Sequence, residues 1–394
     1  MGASEPGSNS TVHDGPFASA ELRTLLQRSL NLRSLPAELL PVLQQQPEAS
    51  ADVLAECFER CERLDERERL VELTSGLGLL GLEQLKRRLF KGSPEEAVRS
   101  VGLLARLAHE FLDQHLLPRL TRWEHARQDA AVKTIGFSGS RHRARLLQNL
   151  AEHVHPYVLP VVIDEIGSAG EAYSAPWLMR LAAGEALQAA DLYVRVKAIE
   201  ALGRIGSPLA VPLLTRLVEA KQVWRWEHPR ELRICALQSI AKIEPAHAKQ
   251  LAASARLPER ELALMPMDPQ PNTLASGRVR QRRYSRVQLS EPLPLSFTWL
   301  HGTSRMLAEV LSLAGGFARP VETPGRTATP LSPLKVPRGT TAEIEFHTLL
   351  RRIHATAVVR NTVPHGIGFE MVVLDLDART RLRQLLAAQP ALAA

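Results

Sequence analysis

The sequence predicts a multi-domain α + β chain, in which an α-solenoid of stacked helix pairs precedes a small antiparallel β-barrel with a terminal helix. Three observations predict this fold class. Apolar residues recur at helical spacing over residues 20–255, a stretch with four prolines follows over 256–277, and the apolar period then changes from 3.6 to 2 residues. Residues 1–19 show neither pattern and are expected to form a disordered polar tail. The barrel domain is expected over 278–390.

The composition is that of a soluble globular protein with more than one core. A length of 394 residues exceeds one ordinary domain, and an apolar fraction of 45% allows a sizeable core. The three cysteines, Cys57, Cys61 and Cys235, form no CxxC pair, so we expect small core residues rather than a disulfide framework or a metal site. The chain shows no signal sequence at its N-terminus, and no apolar run approaches the roughly 18–20 residues that span a bilayer. These features predict a cytoplasmic protein without membrane insertion.

The positive net charge is confined to the C-terminal third of the chain. The formal net charge is +7 at pH 7. From Gly277 onward, 16 Lys and Arg residues stand against 8 Asp and Glu, whereas the preceding residues hold 33 basic against 34 acidic side chains. This local excess predicts an anion site in the barrel domain rather than a nucleic-acid surface along the whole chain. Aromatic side chains that would stack on bases are few, so no nucleic acid is expected as a partner.

A repeat of about 37 residues runs through the end of the helical region. "DLYVRVKAIEALGRIG" and "RELRICALQSIAKIEP" align at an offset of 38 residues, which pairs Arg195 with Arg233 and Leu202 with Ile240. "APWLMRL" and "VPLLTRL" align at an offset of 36 residues. Each unit of two amphipathic helices must stack on its neighbours to bury its apolar faces. The pattern resembles HEAT repeats, most clearly over 192–248, and this resemblance implies an extended surface for a protein partner. The helices further upstream are either divergent repeats or a helical cap, and we prefer one continuous solenoid.

No motif in the helical region predicts catalysis. "GFSGS" (Gly136–Ser140) lacks GxSxG spacing and a preceding strand, so we interpret it as the turn that ends a helix. "HVH" places His153 and His155 on different helix faces, which argues against a metal site. "WRWEHPR" (Trp224–Arg230) places two tryptophans between helices, where they either contact a protein or cap the repeat core. The sequence therefore predicts no enzyme, no catalytic residue, no metal and no cofactor.

Beyond the linker, short β-rich segments alternate with Gly and Pro. The segments cover residues 286–300, 341–346, 352–360 and 366–374. Evenly spaced short strands within about 100 residues predict a small antiparallel barrel. The closing segment, Asp377–Gln389, has helical apolar spacing and is predicted to be an amphipathic helix.

Three features of this domain occur in order. "QRRYSRV" contains an RxxxR pair, Arg282 and Arg286, directly before the first strand. "EVLSLAGGF" (Glu309–Phe317) has the form of a strand ending in xxSxxG, and "AVVRNTVPHGIGFEM" (Ala357–Met371) forms a late strand, loop and hairpin before the last helix. Together they resemble the PilZ domain, the bacterial receptor module for cyclic di-GMP, over residues 278–389.

The resemblance implies a cyclic di-GMP site at the mouth of the barrel. Cyclic di-GMP carries two phosphates, and an arginine pairs bidentately with phosphate and also stacks on guanine. Residues four apart in an extended segment point the same way, about 13 Å apart, which suits clasping opposite sides of a nucleotide. We therefore expect Arg282 and Arg286 as the primary ligand residues, Arg283 as supporting charge, and Ser312 and Gly315 as a hydroxyl and a close backbone approach.

Two features depart from the family pattern. Val310 stands where the family has Asp or Asn, so the acceptor for the guanine edge is missing, a loss of roughly 1–3 kcal/mol. Glu309 is adjacent, but it faces the other side of a regular strand, and only a bulge would bring it round. The second departure is a long Pro- and Thr-rich loop over 318–339, where a tight connection is expected.

The sequence thus predicts a non-enzymatic signalling adaptor. Its barrel binds cyclic di-GMP through the RxxxR segment, its repeats contact a protein partner, and ligand binding orders the linker and reorients the two halves. The alternative is a degenerate PilZ-like module that binds no nucleotide and serves with the repeats as a protein-interaction scaffold. For the basic segment itself, the alternative is a solvated linker that anchors the barrel to an acidic face of the solenoid.

Overall fold

The computed structural model describes residues 19–257, 259–264, 284–321, 336–348 and 352–389. Within them, a helical half is followed by a closed barrel of six antiparallel strands and a terminal helix, so the predicted fold class is confirmed. None of the helices in these residues is long and apolar enough to cross a membrane.

The helical half consists of short helices joined by tight turns. Its described helices are α1 (Ser19–Leu30), α2 (Leu39–Gln44), α3 (Pro47–Arg60), α4 (Leu64–Gly76), α5 (Gly78–Lys91), α6 (Pro94–Leu107), α7 (His109–His115), α8 (Leu117–Leu120), α9 (His125–Gly136), α10 (Arg143–Leu150), α11 (Leu159–Ala169), α12 (Ala175–Ala183), α13 (Leu192–Ile205), α14 (Val211–Glu219), α15 (Arg230–Ile243), α16 (Pro245–Ala255) and α17 (Glu259–Leu262). Two-residue strands β1 (Lys221–Gln222) and β2 (Arg225–Trp226) form a hairpin between α14 and α15. Short 3-10 turns, Ala172–Ser174, Leu187–Ala190 and Pro208–Ala210, precede α12, α13 and α14.

The predicted repeat is seen in the helix bounds. Both α13 and α15 contain 14 residues and start 38 residues apart, and both α12 and α14 contain 9 residues and start 36 residues apart. The repeated arginine has one role in both copies. Arg195 Nε donates to the carbonyl oxygen of Ala182 and Arg233 Nε to that of Val218, each at 3.0 Å. These carbonyls end the preceding helix, where a cation is favourable.

The helix pairs form two layers. The first helices of the pairs, α9, α11, α13 and α15, pack side by side in one layer, with α6 next to α9. The second helices, α10, α12, α14 and α16, form the other layer. The core between the layers is built from fully buried residues such as Val162, Leu178, Ala198 and Leu214. This arrangement leaves each layer with one outward face.

The six strands form a closed barrel, because the first and the last strand in the hydrogen-bonded order also pair with each other. Its strands are β3 (Val287–Trp299), β4 (Gly302–Ser312), β5 (Gly315–Pro320), β6 (Thr341–His347), β7 (Arg352–Val363) and β8 (Gly366–Val373), hydrogen-bonded in the order β3-β4-β5-β8-β7-β6. All pairs are antiparallel, and β6 pairs with β3 to complete the ring. Alternating residues such as Leu295, Phe297, Ile344 and Phe346 fill the interior, as a period of two requires.

The terminal helix α18 (Leu376–Ala387) lies between the barrel and the solenoid. Asp375 caps it, since its Oδ1 accepts from the amide of Ala378 at 2.7 Å. Leu382 and Leu386 pack into the barrel core. The other face of α18 is directed at the helical layer and is described with the site below.

Part of the predicted linker is helical. α17 lies within 256–277, contacts α15 and α18, and contributes the buried residue Glu261. The described residues 259–264 of this stretch therefore pack against both halves. Most of this stretch lies outside the described residues.

Candidate functional site

Arg286 directly precedes β3 and is exposed, as expected for the start of the first barrel strand. Arg282 and Arg283 lie outside the described residues. Of the predicted RxxxR segment, the structure therefore describes Tyr284, Ser285 and Arg286.

Ser312 and Gly315 face each other across the turn between β4 and β5, here called the β4–β5 turn. Ser312 is 6% exposed, and its Oγ donates to the carbonyl oxygen of Gly315 at 2.9 Å and accepts from the amide of Ala314 at 3.3 Å. The carbonyl of Ala314 accepts from the amide of Met371 at 2.8 Å. A β-carbon on Gly315 would overlap the carbonyl oxygen of Phe369, so the close backbone approach at this glycine is to β8. The Ser312 hydroxyl is therefore bonded within the turn and largely shielded from solvent.

The strand next to this turn is not regular. The pairing of β4 with β5 shifts register between Ala308 and Val310, so Glu309 is the extra residue of a bulge. The bulge that could redirect Glu309 is therefore present. Its carboxylate forms an ion pair with Arg319 of β5. The side chain of Val310 is apolar and offers no hydrogen-bond acceptor.

The barrel docks on the solenoid through buried charges centred on Arg379 of α18. Arg379 is 0% exposed. Its Nε donates to Glu231 of α15 at 2.8 Å, its Nη2 donates to Glu200 of α13, and its Nη1 donates to the carbonyl of Leu313 at 3.3 Å. The buried hydroxyl of Tyr284 also donates to Glu200. Because Leu313 lies in the β4–β5 turn, this cluster holds that turn against the solenoid.

Arg383, one helical turn beyond Arg379, extends the same contact. Its Nη2 and Nε donate to the two carboxylate oxygens of Glu231, at 2.7 and 3.0 Å. Its Nη1 donates to the carbonyl oxygens of Glu261 and Leu264, at 3.1 and 3.2 Å. Residues four apart on a helix share a face, so one side of α18 presents both guanidinium groups to the solenoid. We call this set of residues the α18 cluster: Glu200, Glu231, Tyr284, Arg379 and Arg383.

The protonation states in the α18 cluster follow from burial and charge. Burial by itself would raise the pKa of Glu231, but Arg383 and Arg379 hold it below its ordinary value of 4.5. Burial and then the Glu200 carboxylate raise the pKa of Tyr284, so its hydroxyl stays protonated and can donate. The cluster is thus a set of charged pairs with a neutral phenol.

A second interdomain contact is centred on Arg360 of β7. Its guanidinium donates to both carboxylate oxygens of Asp129 of α9, with Nη2 to Oδ1 at 2.8 Å, and its Nε donates to Glu370 at 2.6 Å. Lys133 of α9 also lies 2.9 Å from the Glu370 carboxylate. Despite burial, Glu370 and Asp129 raise the pKa of Arg360, so it remains charged.

These contacts explain part of the charge asymmetry of the chain. Three of the 16 basic residues beyond Gly277, namely Arg360, Arg379 and Arg383, bind acidic residues of the solenoid layer. The acidic residues that these arginines bind are Asp129, Glu200 and Glu231 of the solenoid, and the arginines come from β7 and α18. The basic segment of the alternative prediction lies mostly outside the described residues. Sequence analysis did not single out these three arginines. The available signal was the i,i+4 spacing of Arg379 and Arg383 on a helix that also carries an apolar stripe.

The β1–β2 hairpin joins α14 to α15 at the edge of the solenoid. Trp226 contacts two cations, with the Arg233 guanidinium 3.3 Å and the Lys221 ammonium 4.3 Å from its ring centroid. At the tip, Val223 has a φ of 58° and Trp224 is 94% exposed. In "WRWEHPR", Trp226 is half-buried against Arg233 of α15, and Trp224 is exposed to solvent.

The remaining sequence motifs have structural positions. α9 ends at Gly136, and Ser138 Oγ donates to the carbonyl of Ile135 at 2.6 Å, so "GFSGS" is the predicted helix-ending turn. Cys61 and Cys235 are buried and Cys57 is half-buried, and all three are free thiols. Among the described residues, no group of three or more His, Cys, Asp and Glu side chains is placed to hold a metal ion.

The comparison with known families supports the repeat part of this architecture. A family model described as HEAT repeats matches residues 143–228, which run from α10 through the β1–β2 hairpin. Helical repeats of this kind present extended surfaces to other proteins. The class defined by fold and match is therefore a HEAT-like helical-repeat protein with a C-terminal β-barrel. Among the curated proteins searched, none matches the chain.

Proposed function

We propose that this protein is a non-enzymatic scaffold that binds a protein partner through its helical repeats, with the barrel fixed to the repeats as a rigid second domain. The observation that carries the proposal is the side chain of Trp224, 94% exposed at the tip of the β1–β2 hairpin. Tryptophan dominates the binding energy of many protein interfaces because a rigid aromatic surface is buried at little entropic cost.

The conformation of the hairpin supports a contact role. Val223 holds a left-handed backbone at φ 58°, which costs a β-branched residue about 1–3 kcal/mol. The base of the hairpin is held by the pairing of Lys221 with Trp226 and by the contact of Trp226 with Arg233. A side chain presented on such a support loses little freedom when a partner covers it.

The test is capture of the partner from cells that produce the protein, with tagged full-length chain and quantitative mass spectrometry. Trp224→Ala is expected to reduce capture at least tenfold and to leave the unfolding temperature unchanged, since the side chain makes few internal contacts. Leu300→Ala is the matched control, because Leu300 is 88% exposed in the barrel domain. Equal capture by the wild type and Trp224→Ala would contradict the proposal.

Cyclic di-GMP binding by the barrel is the second candidate function. It is favoured by the exposed Arg286 at the start of β3, with Arg282 and Arg283 immediately before it in the sequence, and by the resemblance to the PilZ domain. Arg286 and Arg282 would pair with the two phosphates. The buried, internally bonded Ser312 and the apolar Val310 weigh against guanine contacts from β4.

Calorimetric titration of the full chain with cyclic di-GMP separates the two candidates. If the barrel is a nucleotide receptor, heat is released at tens of micromolar ligand and disappears in Arg286→Ala and Arg282→Ala. If no heat is observed, the receptor function is excluded and the scaffold function remains. Under the scaffold proposal alone, both arginine variants also capture the partner as the wild type does.

A further inference from the structure

A cleft of about 730 Å³ lies between α12 and α14 on the solenoid layer that the barrel leaves open. In the described part of the chain, the hydrogen bonds and ion pairs from the barrel reach α9, α13, α15 and α17, and not these two helices. The cleft is therefore open to a partner while the barrel is docked.

The two sides of the cleft are the same surface repeated. Three lining positions on the first side recur on the second at the 36-residue offset of the repeat. The pairs are Tyr173 with Leu209, Trp177 with Leu213, and Arg180 with Arg216. Each side thus offers an apolar rim, an apolar floor and a guanidinium group, and Glu185 is the acidic residue of the lining.

The cleft exposes apolar side chains and also polar groups that lack a partner among the described residues. Tyr173 and Leu209 are 52% and 69% exposed at its rim. Arg180 and Arg216 are exposed and form no ion pair with any residue that the structure describes. The side-chain oxygen of Gln148, which also lines the cleft, is buried and accepts no hydrogen bond there.

The spacing of the repeats defines what can bind. α12 and α14 are successive helices of one layer with a cleft between them, and helices that pack directly lie about 8–10 Å apart, so equivalent side chains on α12 and α14 are separated by about 10 Å or more. A helix rises 1.5 Å per residue, so positions seven residues apart on one face are about 10.5 Å apart. A single helix laid across α12 and α14 can therefore meet both guanidinium groups with two acidic residues at i and i+7.

We propose that this cleft binds an amphipathic, acidic helix of the protein partner, an inference that rests on the scaffold function proposed above. Its carboxylates, seven residues apart, pair with Arg180 and Arg216. Its apolar side chains at the intervening i+3 and i+4 positions cover the floor between Tyr173 and Leu209. Arginine and aromatic side chains in a concave setting are the groups that dominate such interfaces.

The test uses a display library of peptides of about 18 residues, long enough for the i, i+7 spacing, selected on the immobilised full chain. Enriched peptides are expected to carry Asp or Glu at i and i+7 with apolar residues between. Fluorescence anisotropy then measures the affinity of one such peptide. Arg180→Glu and Arg216→Glu should each weaken binding about tenfold or more, and the effect should shrink as salt is raised.

The matched control is Arg122→Glu, because Arg122 is an exposed solenoid arginine outside the cleft. It should change the affinity less than twofold. Absence of enrichment, enrichment of basic peptides, or equal binding by the Arg180→Glu/Arg216→Glu double variant would each overturn the cleft assignment. If that double variant still captures the cellular partner while Trp224→Ala does not, the cleft fails and the scaffold function stands.

Discussion

The α18 cluster should contribute several kilocalories per mole to the stability of the docked chain, and Arg379→Met tests this. The substitution keeps an unbranched apolar stem but removes the guanidinium group and its charge. Arg379 is 0% exposed and donates to Glu231 and Glu200, so two buried carboxylates each lose a donor. A hydrogen bond to a charged group is worth about 1.5–3 kcal/mol, and removing one partner of a buried ion pair typically costs about 3–5 kcal/mol.

The structure places the expected loss at the lower end of that range. Glu231 keeps its bonds to Arg383, and Glu200 keeps the hydroxyl of Tyr284. The methionine also buries additional apolar surface, which returns about 1 kcal/mol. We therefore expect Arg379→Met to lower the free energy of unfolding by about 3 kcal/mol.

Urea unfolding of the full chain, followed by far-UV circular dichroism and tryptophan fluorescence, measures this loss. Arg381→Met on the same helix is the control, because among the residues that the structure describes Arg381 donates only to the carbonyl of Arg352 at the surface. The control should change stability by no more than about 0.5 kcal/mol. If Arg379→Met differs from this control by less than about 1 kcal/mol, the buried pairs do not stabilise docking and the reasoning fails.

Three further predictions concern other parts of the molecule. Gly315→Ala should destabilise the barrel by about 2 kcal/mol or more, measured by thermal unfolding, since its β-carbon meets the backbone of Phe369; an unchanged melting temperature would contradict it. Acidification should weaken docking, because the pKa of Glu231 in the folded chain is lower than its ordinary value of 4.5. The stabilisation by Glu231 is therefore complete above pH 4.5 and is lost as the pH falls through the lowered pKa. Urea midpoints at several pH values measure this, and Glu231→Gln should flatten the dependence; a wild-type midpoint insensitive to acid would refute it. Cys61, whose pKa burial raises to about 12, should react with a thiol reagent at pH 8 at least about tenfold more slowly in native than in urea-unfolded protein, and equal rates would exclude this burial.

Local patterns were sufficient for the elements, because helix and strand periods are written in neighbouring residues. The 38-residue offset located α13 and α15 within one or two residues of their ends, and the period of two located β6 and β8. The short α17 was not predicted, because four prolines mark a break in the solenoid without saying what the chain between them contacts.

The interdomain contacts could not be predicted in the same way. Glu200 and Arg379 are 179 residues apart in the sequence, and each sits on an amphipathic helix where a charge usually faces water. Only the fold brings their faces together. The same limit applies to Ser312: its hydroxyl fits a family motif, but its partner is the carbonyl three residues on, in a turn that Arg379 helps to hold.

Docking restricts how a nucleotide could act on this protein. A ligand can shift the equilibrium between two arrangements of the halves only by the difference in its affinity for them. In one of these arrangements, the contacts of the α18 cluster must be broken. Tyr284 lies between Arg283 and Arg286, and its hydroxyl binds Glu200 of the solenoid. A dinucleotide clasped by Arg282 and Arg286 would therefore act first on this tyrosine.

Tyr284→Phe tests whether nucleotide binding and docking compete. The variant keeps the buried ring and removes one hydrogen bond to a charged group, worth about 1.5–3 kcal/mol to the docked state. If cyclic di-GMP binding requires Tyr284 to withdraw, the variant should bind the nucleotide about tenfold more tightly in a calorimetric titration, since 1.4 kcal/mol corresponds to a factor of ten. Tyr157→Phe, in the solenoid and away from the α18 cluster, should leave the affinity unchanged. An affinity unaltered by Tyr284→Phe would mean that the nucleotide binds with the interface intact, and reorientation of the two halves would then have no basis.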